Sequence, residues 1–387
     1  MTLTEPTLRT LGPMGGEIYA ELALGPWSKP ATRSIEELAA AVGSSPGAKR
    51  SRHEDRALLA EVTVENGDRY RAAIVCDGVG GSEMGDVAAT MAIAAFLGKL
   101  QTTFSRRPLE NLLIELVRFT DETVRAELQG KGTTTMSVIL ANEYGEMAAA
   151  NIGDSRIFSW EPGRKFTQVS IDDTMENEFR NLPLKDTTVL DAKGLRGALS
   201  QAIGDVGQDS DRLRIATFSK HLFPTGVILA TDGTWKGNEP TFRAFAENAT
   251  TSIEVVKRVL GLATWSGGID NASIIAIDDL TSFAKAPPSR PQRSRARVSL
   301  WINDTKIVLH RVGNMPSHPQ PSFAQEKSDS RKKGGDDRRR RGRTDYQRKS
   351  HAKAEDQLSL IPESAKASRR PKIEISTDFP AGDKPPA

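Results

Sequence analysis

The sequence has little cysteine, few aromatic residues and no long apolar run. Its single cysteine, Cys76, excludes an internal disulfide and lies inside an apolar run, which is typical of a small buried side chain. Hydrophobic residues make up 37% of the 387 residues and aromatic residues 6%, so we expect that part of the chain does not pack. No apolar stretch is long enough to span a bilayer, and we predict no membrane segment.

The N-terminal residues also lack the pattern of a secretory signal. Met-Thr-Leu-Thr-Glu-Pro contains no basic region followed by an apolar one. An unpaired cysteine fits a reducing compartment. These features predict a soluble, cytoplasmic protein.

Charge is distributed unevenly, although the net charge is only +3. Residues 285–387 carry 24 Lys and Arg against 12 Asp and Glu, whereas the rest of the chain carries 29 against 38. An acidic body with a basic tail suggests a different partner for each. One hypothesis is that the tail, most basic at 338–343, binds nucleic acid or an acidic protein. The alternative is a solvated, flexible segment.

Composition divides the chain into three parts. Residues 1–46 are predicted to be an N-terminal extension, in which 34–42 fits either a short helix or irregular packing. Residues 47–282 have the pattern of a globular body. Residues 283–387 are predicted to be a basic, mostly disordered tail that contains a short hairpin at 298–311.

Within the body, periodicity predicts an α+β sandwich. Asn66-Gly67 joins two strand-like runs and is a strong hairpin signal. Residues 170–195 are polar and are interpreted as a loop-rich insertion. Helices are predicted at 83–100, 108–128 and 252–263, and strands at 56–64, 70–76, 133–141, 147–152, 156–160, 213–218, 226–230 and 272–277.

Acidic residues recur where strand-like runs begin or end. A single Asp-Gly pair is usually only a turn, but repeated sites of this kind suggest strands that deliver carboxylates to one place. Clustered carboxylates repel each other and normally need a cation, and oxygen ligands favour Mg²⁺, Mn²⁺ or Ca²⁺. The pattern therefore predicts a metal-dependent hydrolase, with the acidic groups at Asp77, Asp154, Asp232, Asp270 and the pair Glu54-Asp55.

Taken together, these motifs resemble the protein phosphatase 2C (PP2C, or PPM) family of metal-dependent serine/threonine phosphatases, in its bacterial form. The resemblance implies a four-layer α-β-β-α sandwich of two antiparallel sheets flanked by helices, with metal ions in a cleft at one end. It covers about residues 47–280, in the segments Arg50–Arg56, Val75–Asp86, Gly132–Thr135, Asn151–Arg156, Leu199–Asp205, Leu229–Gly233 and Asp270–Ser273.

The resemblance also implies a set of metal ligands. Asp77 would bridge two ions, and Asp232 and Asp270 would complete the first metal site. The carbonyl group of Gly78 and the side chain of Glu54 would serve the second site. The implied cofactors are two or three Mn²⁺ or Mg²⁺ ions, and these ligands suit both metals.

Three further roles follow from the same resemblance. Asp154 would hold a third ion together with Asp232, Asp55 would orient the attacking water, and Arg50 would bind the phosphate group. Alternatives stay open for two of them. Asp154 fits a tight turn that holds Arg156, and the basic neighbours of Arg50 make its register less secure. Glu54 also fits an exposed position in a charged stretch.

The predicted function is hydrolysis of phosphoserine and phosphothreonine in proteins by a water activated between two divalent ions. The substrate would be the product of a serine/threonine kinase. Val79 stands where some family members have a histidine, which leaves the general acid unassigned. The alternative function is a weakly active or inactive signalling module recruited through the basic tail.

Overall fold

A computed structural model describes residues 5–79, 82–103, 107–180, 195, 197–207, 213–285 and 296–310. All of them belong to one unit of the chain, Met1–His318. The disordered tail predicted beyond the hairpin lies outside the described residues, and so does most of the predicted insertion.

Helices and strands alternate in blocks along this unit. The helices are α1 (Glu5–Ala23), α2 (Gly85–Gln101), α3 (Leu109–Leu128), α4 (Met175–Arg180), α5 (Glu239–Asn248), α6 (Ser252–Trp265) and α7 (Leu280–Ala284). The first strands are β1 (Ala31–Ile35), β2 (Ala40–Ser45), β3 (Arg56–Thr63), β4 (Arg69–Cys76), β5 (Met136–Asn142) and β6 (Met147–Ile152). The others are β7 (Arg156–Glu161), β8 (Lys165–Gln168), β9 (Ala216–Ser219), β10 (Gly226–Ala230), β11 (Ala272–Ile277), β12 (Arg297–Ile302) and β13 (Thr305–His310).

The strands form two sheets. In the described residues, one sheet has the order β13-β12-β3-β4-β5-β6-β9 and the other the order β1-β2-β11-β10-β7-β8. Neighbouring strands are antiparallel throughout. None of the described helices is both long and apolar enough to cross a bilayer.

Three apolar layers hold the sheets and helices together. Between the sheets, one layer includes Leu59, Val75, Ile139, Leu229 and Ile275. A second layer packs α1, α2 and α3 onto the seven-stranded sheet, and a third packs α5 and α6 onto the six-stranded sheet. Because both faces of the central strands are covered, β3 is buried at every position. The predicted α+β sandwich of two antiparallel sheets flanked by helices is confirmed.

The N-terminal residues differ from their prediction. The helix predicted at 34–42 is wrong, because Ser34 and Ile35 end β1 and a short 3₁₀ turn leads into β2. β2 lies between β1 and β11 and is buried throughout, so its sequence Ala-Ala-Val-Gly-Ser-Ser has no alternation that would reveal a strand. Helix α1 packs on α2, where a Cβ on Gly98 would lie 2.9 Å from the Cα of Gly15. The predicted extension thus contributes a helix and two strands to the fold.

The strands β12 and β13 form a β-hairpin. β12 and β13 pair around the turn at Asn303-Asp304, where Asn303 has a φ of 48°. β12 also pairs with β3 along its whole length, from Arg297 opposite Thr63 to Ile302 opposite Leu58. The hairpin therefore extends the seven-stranded sheet, beyond the boundary at residue 282 that composition suggested.

Candidate functional site

The predicted acidic residues stand at strand ends that face the same way. In the seven-stranded sheet, Arg56 at the start of β3 pairs with Cys76 at the end of β4, so Asp55 and Asp77 lie side by side. In the six-stranded sheet, Ala230 at the end of β10 pairs with Arg156 of β7 and with Ile274 of β11. Because neighbouring strands are antiparallel, the start of one strand and the end of the next lie at the same end of each sheet.

These ends of the two sheets enclose a cleft of about 530 Å³. Asp55 lies beside this cleft and is 1% exposed. Val79 also lines the cleft, and the described lining residues include no histidine. The cleft brings together the other predicted site residues, Arg50, Glu54, Asp77, Gly78, Asp154, Asp232 and Asp270.

Asp55 is held by the opposite sheet. The hydroxyl group of Thr231 donates to Asp55 Oδ2 at 2.8 Å, and the same oxygen of Thr231 accepts the backbone N–H of Ser273 at 2.9 Å. Within the described residues, Oδ1 of Asp55 is buried without a hydrogen-bond partner. Burial raises the pKa of Asp55, and the negative charge of Asp232 raises it further. The hydrogen bond from Thr231 lowers the pKa but does not cancel these effects. A buried carboxylate oxygen that lacks a donor fits a site that receives a ligand.

Burial and neighbouring negative charges also raise the pKa values of three other carboxylates of the cleft. Burial, followed by the negative charges of Asp55 and Asp232, raises the pKa of Asp77 well above its ordinary value. Burial and the charge of Asp232 raise the pKa of Asp154 to about 7. Burial likewise raises the pKa of Glu54. Such crowding of acidic groups is relieved by a divalent cation, so the donor set fits Mg²⁺ or Mn²⁺.

Two of the predicted ligands are ion-paired with basic side chains. Arg50 Nη2 lies 2.6 Å from Asp270 Oδ2, and Lys236 Nζ lies 2.9 Å from Asp232 Oδ2. Across the described ranges, no three histidine, cysteine or acidic side chains already form a metal-ligand set. Each of these ion pairs uses the Oδ2 oxygen of the aspartate. The assignment of individual ligands, including the carbonyl group of Gly78, therefore stays a prediction.

Asn271 holds the loop that carries Arg50 and Glu54. Its Oδ1 accepts the backbone N–H of Glu54 at 2.8 Å, and its Nδ2 donates to the carbonyl oxygens of Pro46 at 2.7 Å and Arg52 at 3.0 Å. Sequence reasoning did not assign this role. Only an asparagine or glutamine amide donates two hydrogen bonds and accepts one in this way. The asparagine that follows Asp270 was therefore the sequence signal for this role.

The glycine of the motif Asp232-Gly233 has a steric role. A Cβ at position 233 would collide with the carbonyl oxygen of Asn271. The turn after β10 therefore approaches the turn before β11 backbone to backbone. This contact sets Asp232 and Asp270 next to each other at the cleft.

Arg156 does not pair with Asp154, contrary to the turn alternative. Its guanidinium group lies 2.8 Å from Asp172 Oδ2, and its Cζ lies 3.4 Å from the ring centroid of Trp235. Asp173 accepts the backbone N–H of Gly153 at 2.9 Å. Asp172 and Asp173, at the start of the predicted insertion, thus bind the residues on either side of Asp154.

Comparison with known proteins agrees with this architecture. A family model for protein phosphatase 2C matches residues 42–264, more than half of the chain. The chain belongs to the protein phosphatase 2C family. It is 26% identical over 233 residues to the serine/threonine phosphatase stp of Listeria monocytogenes, covering 56% of this chain and 88% of that protein.

Two solved structures share the fold of this chain. A bacterial serine phosphatase aligns with a TM-score of 0.50 at 20% identity, over 62% of this chain and 98% of that one. The serine/threonine phosphatase of S. agalactiae aligns with a TM-score of 0.50 at 17% identity, over 61% and 97% of the two chains. At these identities the likeness shows the fold alone.

The raised pKa values predict how the stability of this protein phosphatase 2C chain depends on pH. The pKa of Asp154 is about 7 when folded against 3.8 as its ordinary value, so the folded state binds the extra proton. This contribution to stability is full below pH 3.8 and is lost as the pH rises through 7. We expect the melting temperature in EDTA to fall between pH 5 and pH 8, by roughly 5 °C for this group.

The variant Asp154→Asn isolates this effect from other titrating groups. It should melt above the wild type at pH 7.5 in EDTA, and the difference should shrink at pH 5. Mn²⁺ should raise the melting temperature of the wild type more at pH 7.5 than at pH 5, because protons and metal ions compete for the same oxygens. A wild-type melting temperature that is the same in EDTA and in Mn²⁺ at every pH would contradict this expectation.

Proposed function

We propose that this protein hydrolyses phosphoserine and phosphothreonine in proteins, with two or three Mn²⁺ or Mg²⁺ ions as cofactors. The observation that carries the proposal is the set of carboxylates and one arginine at a common cleft, on a protein phosphatase 2C fold. The Listeria monocytogenes relative of this chain is named a serine/threonine phosphatase, which supports the same reaction and substrate class.

The proposed ligands of the ions are side-chain carboxylates and one backbone carbonyl group. When bound, divalent ions supply a nucleophilic water and neutralise phosphoryl oxygens. Oxygen donors of this kind suit Mg²⁺ and Mn²⁺ equally, so the donor set does not favour one metal. The proposed ligands are Asp77, Gly78, Asp232, Asp270, Glu54 and Asp154.

Arg50 and Asp55 contribute in different ways. The side chain of Arg50 is 38% exposed at the cleft, where its planar guanidinium group can donate two hydrogen bonds to phosphate oxygens. Asp55 is fixed by Thr231 at one oxygen, and its other oxygen is available to accept a hydrogen bond from the attacking water. A fixed acceptor orients that water without reorganisation during the reaction.

A covalent phosphoenzyme is not needed. Cys76 is fully buried, and burial raises the pKa of its thiol, which opposes formation of a thiolate. The hydroxyl group of Ser155 is buried and hydrogen-bonded to Thr135 at 2.7 Å, so Ser155 has a structural role. Val79 cannot act as an acid, and we assign protonation of the leaving oxygen to water in the cleft.

The test is phosphate release from a phosphothreonine peptide by the full-length chain after removal of metal ions. We expect turnover with Mn²⁺ or Mg²⁺, none in EDTA, and little turnover of the matched phosphotyrosine peptide. Circular dichroism should show that the protein is folded in each buffer. A folded protein that releases no phosphate with any metal would overturn the proposal and favour the alternative of an inactive signalling module.

A further inference from the structure

Two large apolar side chains are exposed on one short segment. Trp265 is 92% exposed and Ile269 is 68% exposed. Single exposed apolar residues are common on soluble proteins, but a pair on five consecutive residues beside a catalytic cleft suggests a contact site. We call Trp265 and Ile269 the apolar rim.

The backbone of the apolar rim is fixed by the way α6 ends. The N–H of Gly268 donates to the carbonyl oxygen of Ala263 at 3.0 Å, and the N–H of Gly267 donates to that of Thr264 at 3.1 Å. Gly267 and Gly268 have φ values of 101° and 56°. This is a Schellman ending, which stops the helix at Trp265 and turns the chain toward Ile269.

One side of this segment is bound to the loop that carries Arg50. The carbonyl oxygen of Gly268 accepts the backbone N–H of Ala48 at 2.7 Å and that of Lys49 at 3.1 Å. A Cβ on Gly268 would lie 2.7 Å from the nitrogen of Ala48. Ile269 is therefore held between this contact and Asp270, which is itself paired with Arg50.

The other side contacts the turn that carries Asp232. A Cβ on Gly237 would lie 3.4 Å from the Cβ of Ser266, the residue that follows Trp265. Lys236, next to Gly237, reaches into the cleft to Asp232. The apolar rim thus lies between two loops that both contribute residues to the lining of the cleft.

We propose that the apolar rim binds an apolar side chain of the phosphoprotein substrate, close in sequence to the phosphorylated residue. The inference rests on the proposed function, because it places the phosphate group in the cleft. An extended substrate that leaves the cleft over Asp270 meets Ile269 and then Trp265. Tryptophan offers a large, stiff contact surface, and a segment held by backbone bonds loses little freedom on binding. The substrate class is therefore a phosphoserine or phosphothreonine flanked by an apolar residue.

The test compares phosphothreonine peptides in which one leucine is moved through positions −4 to +4 of a serine-rich sequence. We expect the wild type to prefer leucine at one or two positions by about tenfold in kcat/KM, mainly through KM. Trp265→Ala and Ile269→Ser should lose this preference. Hydrolysis of p-nitrophenyl phosphate, which has no flanking residues, should be unchanged in Trp265→Ala.

Tyr144→Ala is the matched control. Tyr144 is 75% exposed in the β5–β6 turn, at the end of the seven-stranded sheet that lies away from the cleft. It should keep the wild-type preference. Equal turnover of all peptides by the wild type, or a preference that survives in Trp265→Ala, would overturn the inference and leave the proposed function standing. So would a Trp265→Ala variant that changes only self-association, measured by light scattering. Absence of turnover of every substrate would instead refute the proposed function, and this inference with it.

Discussion

Replacing Asp77 by asparagine is expected to lower turnover of a phosphothreonine peptide by about a thousandfold and to raise the melting temperature of the metal-free protein. Turnover falls because Asp77 would hold the metal ions that activate the water, and loss of metal-ion stabilisation worth about 4 kcal/mol is a thousandfold in rate. Stability rises because Asp77 is a carboxylate whose pKa is raised by burial and by Asp55 and Asp232, so its charge opposes folding. The two effects have opposite signs, which excludes general damage to the fold.

Asp278→Asn is a matched control for this substitution. Burial also raises the pKa of Asp278, but the residue follows the far end of β11 and accepts hydrogen bonds from Ser252. We expect Asp278→Asn to keep wild-type turnover, because the residue lies away from the cleft, and to raise the melting temperature as Asp77→Asn does, because the charge of Asp278 also opposes folding. Near-wild-type turnover by folded Asp77→Asn protein would show that Asp77 is not at the reacting centre.

Ending the chain at residue 284 is expected to unfold most of the protein. This truncation removes β12, whose Val298, Leu300 and Ile302 are fully buried. Burial of three such side chains stabilises a fold by about 5–9 kcal/mol, which is comparable with the whole stability of a typical domain. It also leaves β3 as an unpaired sheet edge, which promotes aggregation.

The matched chain ends at residue 311 and keeps the hairpin. It should melt cooperatively at the temperature of the full-length chain, whereas the chain ending at 284 should show a urea midpoint near zero or precipitate. Equal urea midpoints for the two truncated chains would mean that the hairpin does not contribute to the stability of the sandwich.

The sequence predicted the central strands well because polar turns bound them. Asn66-Gly67 marked the β3–β4 hairpin, and the run 226–230 coincides with β10. It failed for β2 because a strand buried on both faces and rich in alanine has no period of two. It also placed a boundary at residue 282, because the proline- and arginine-rich residues 286–296 separate the body from the hairpin and local patterns do not show that β12 pairs with β3.

The candidate site was predictable only in part. Motifs identified the acidic residues, and the structure brings them to one cleft, but their partners come from distant parts of the chain. Arg50 meets Asp270 across 220 positions, and Thr231 meets Asp55 across 176. Such contacts depend on sheet register, which local patterns do not specify. The hydrogen bonds by which Asn271 holds the loop of Arg50 and Glu54 were not predicted, for the same reason.

The most direct test of the account is the number of Mn²⁺ ions that the full-length chain binds at pH 7.5, measured by calorimetry on wild type and on Asp77→Asn. We expect two or three ions in the wild type and fewer in Asp77→Asn, because Asp77 is a proposed metal ligand. If the wild type binds no more Mn²⁺ than Asp77→Asn, the cleft is not a metal centre and the proposed mechanism is wrong.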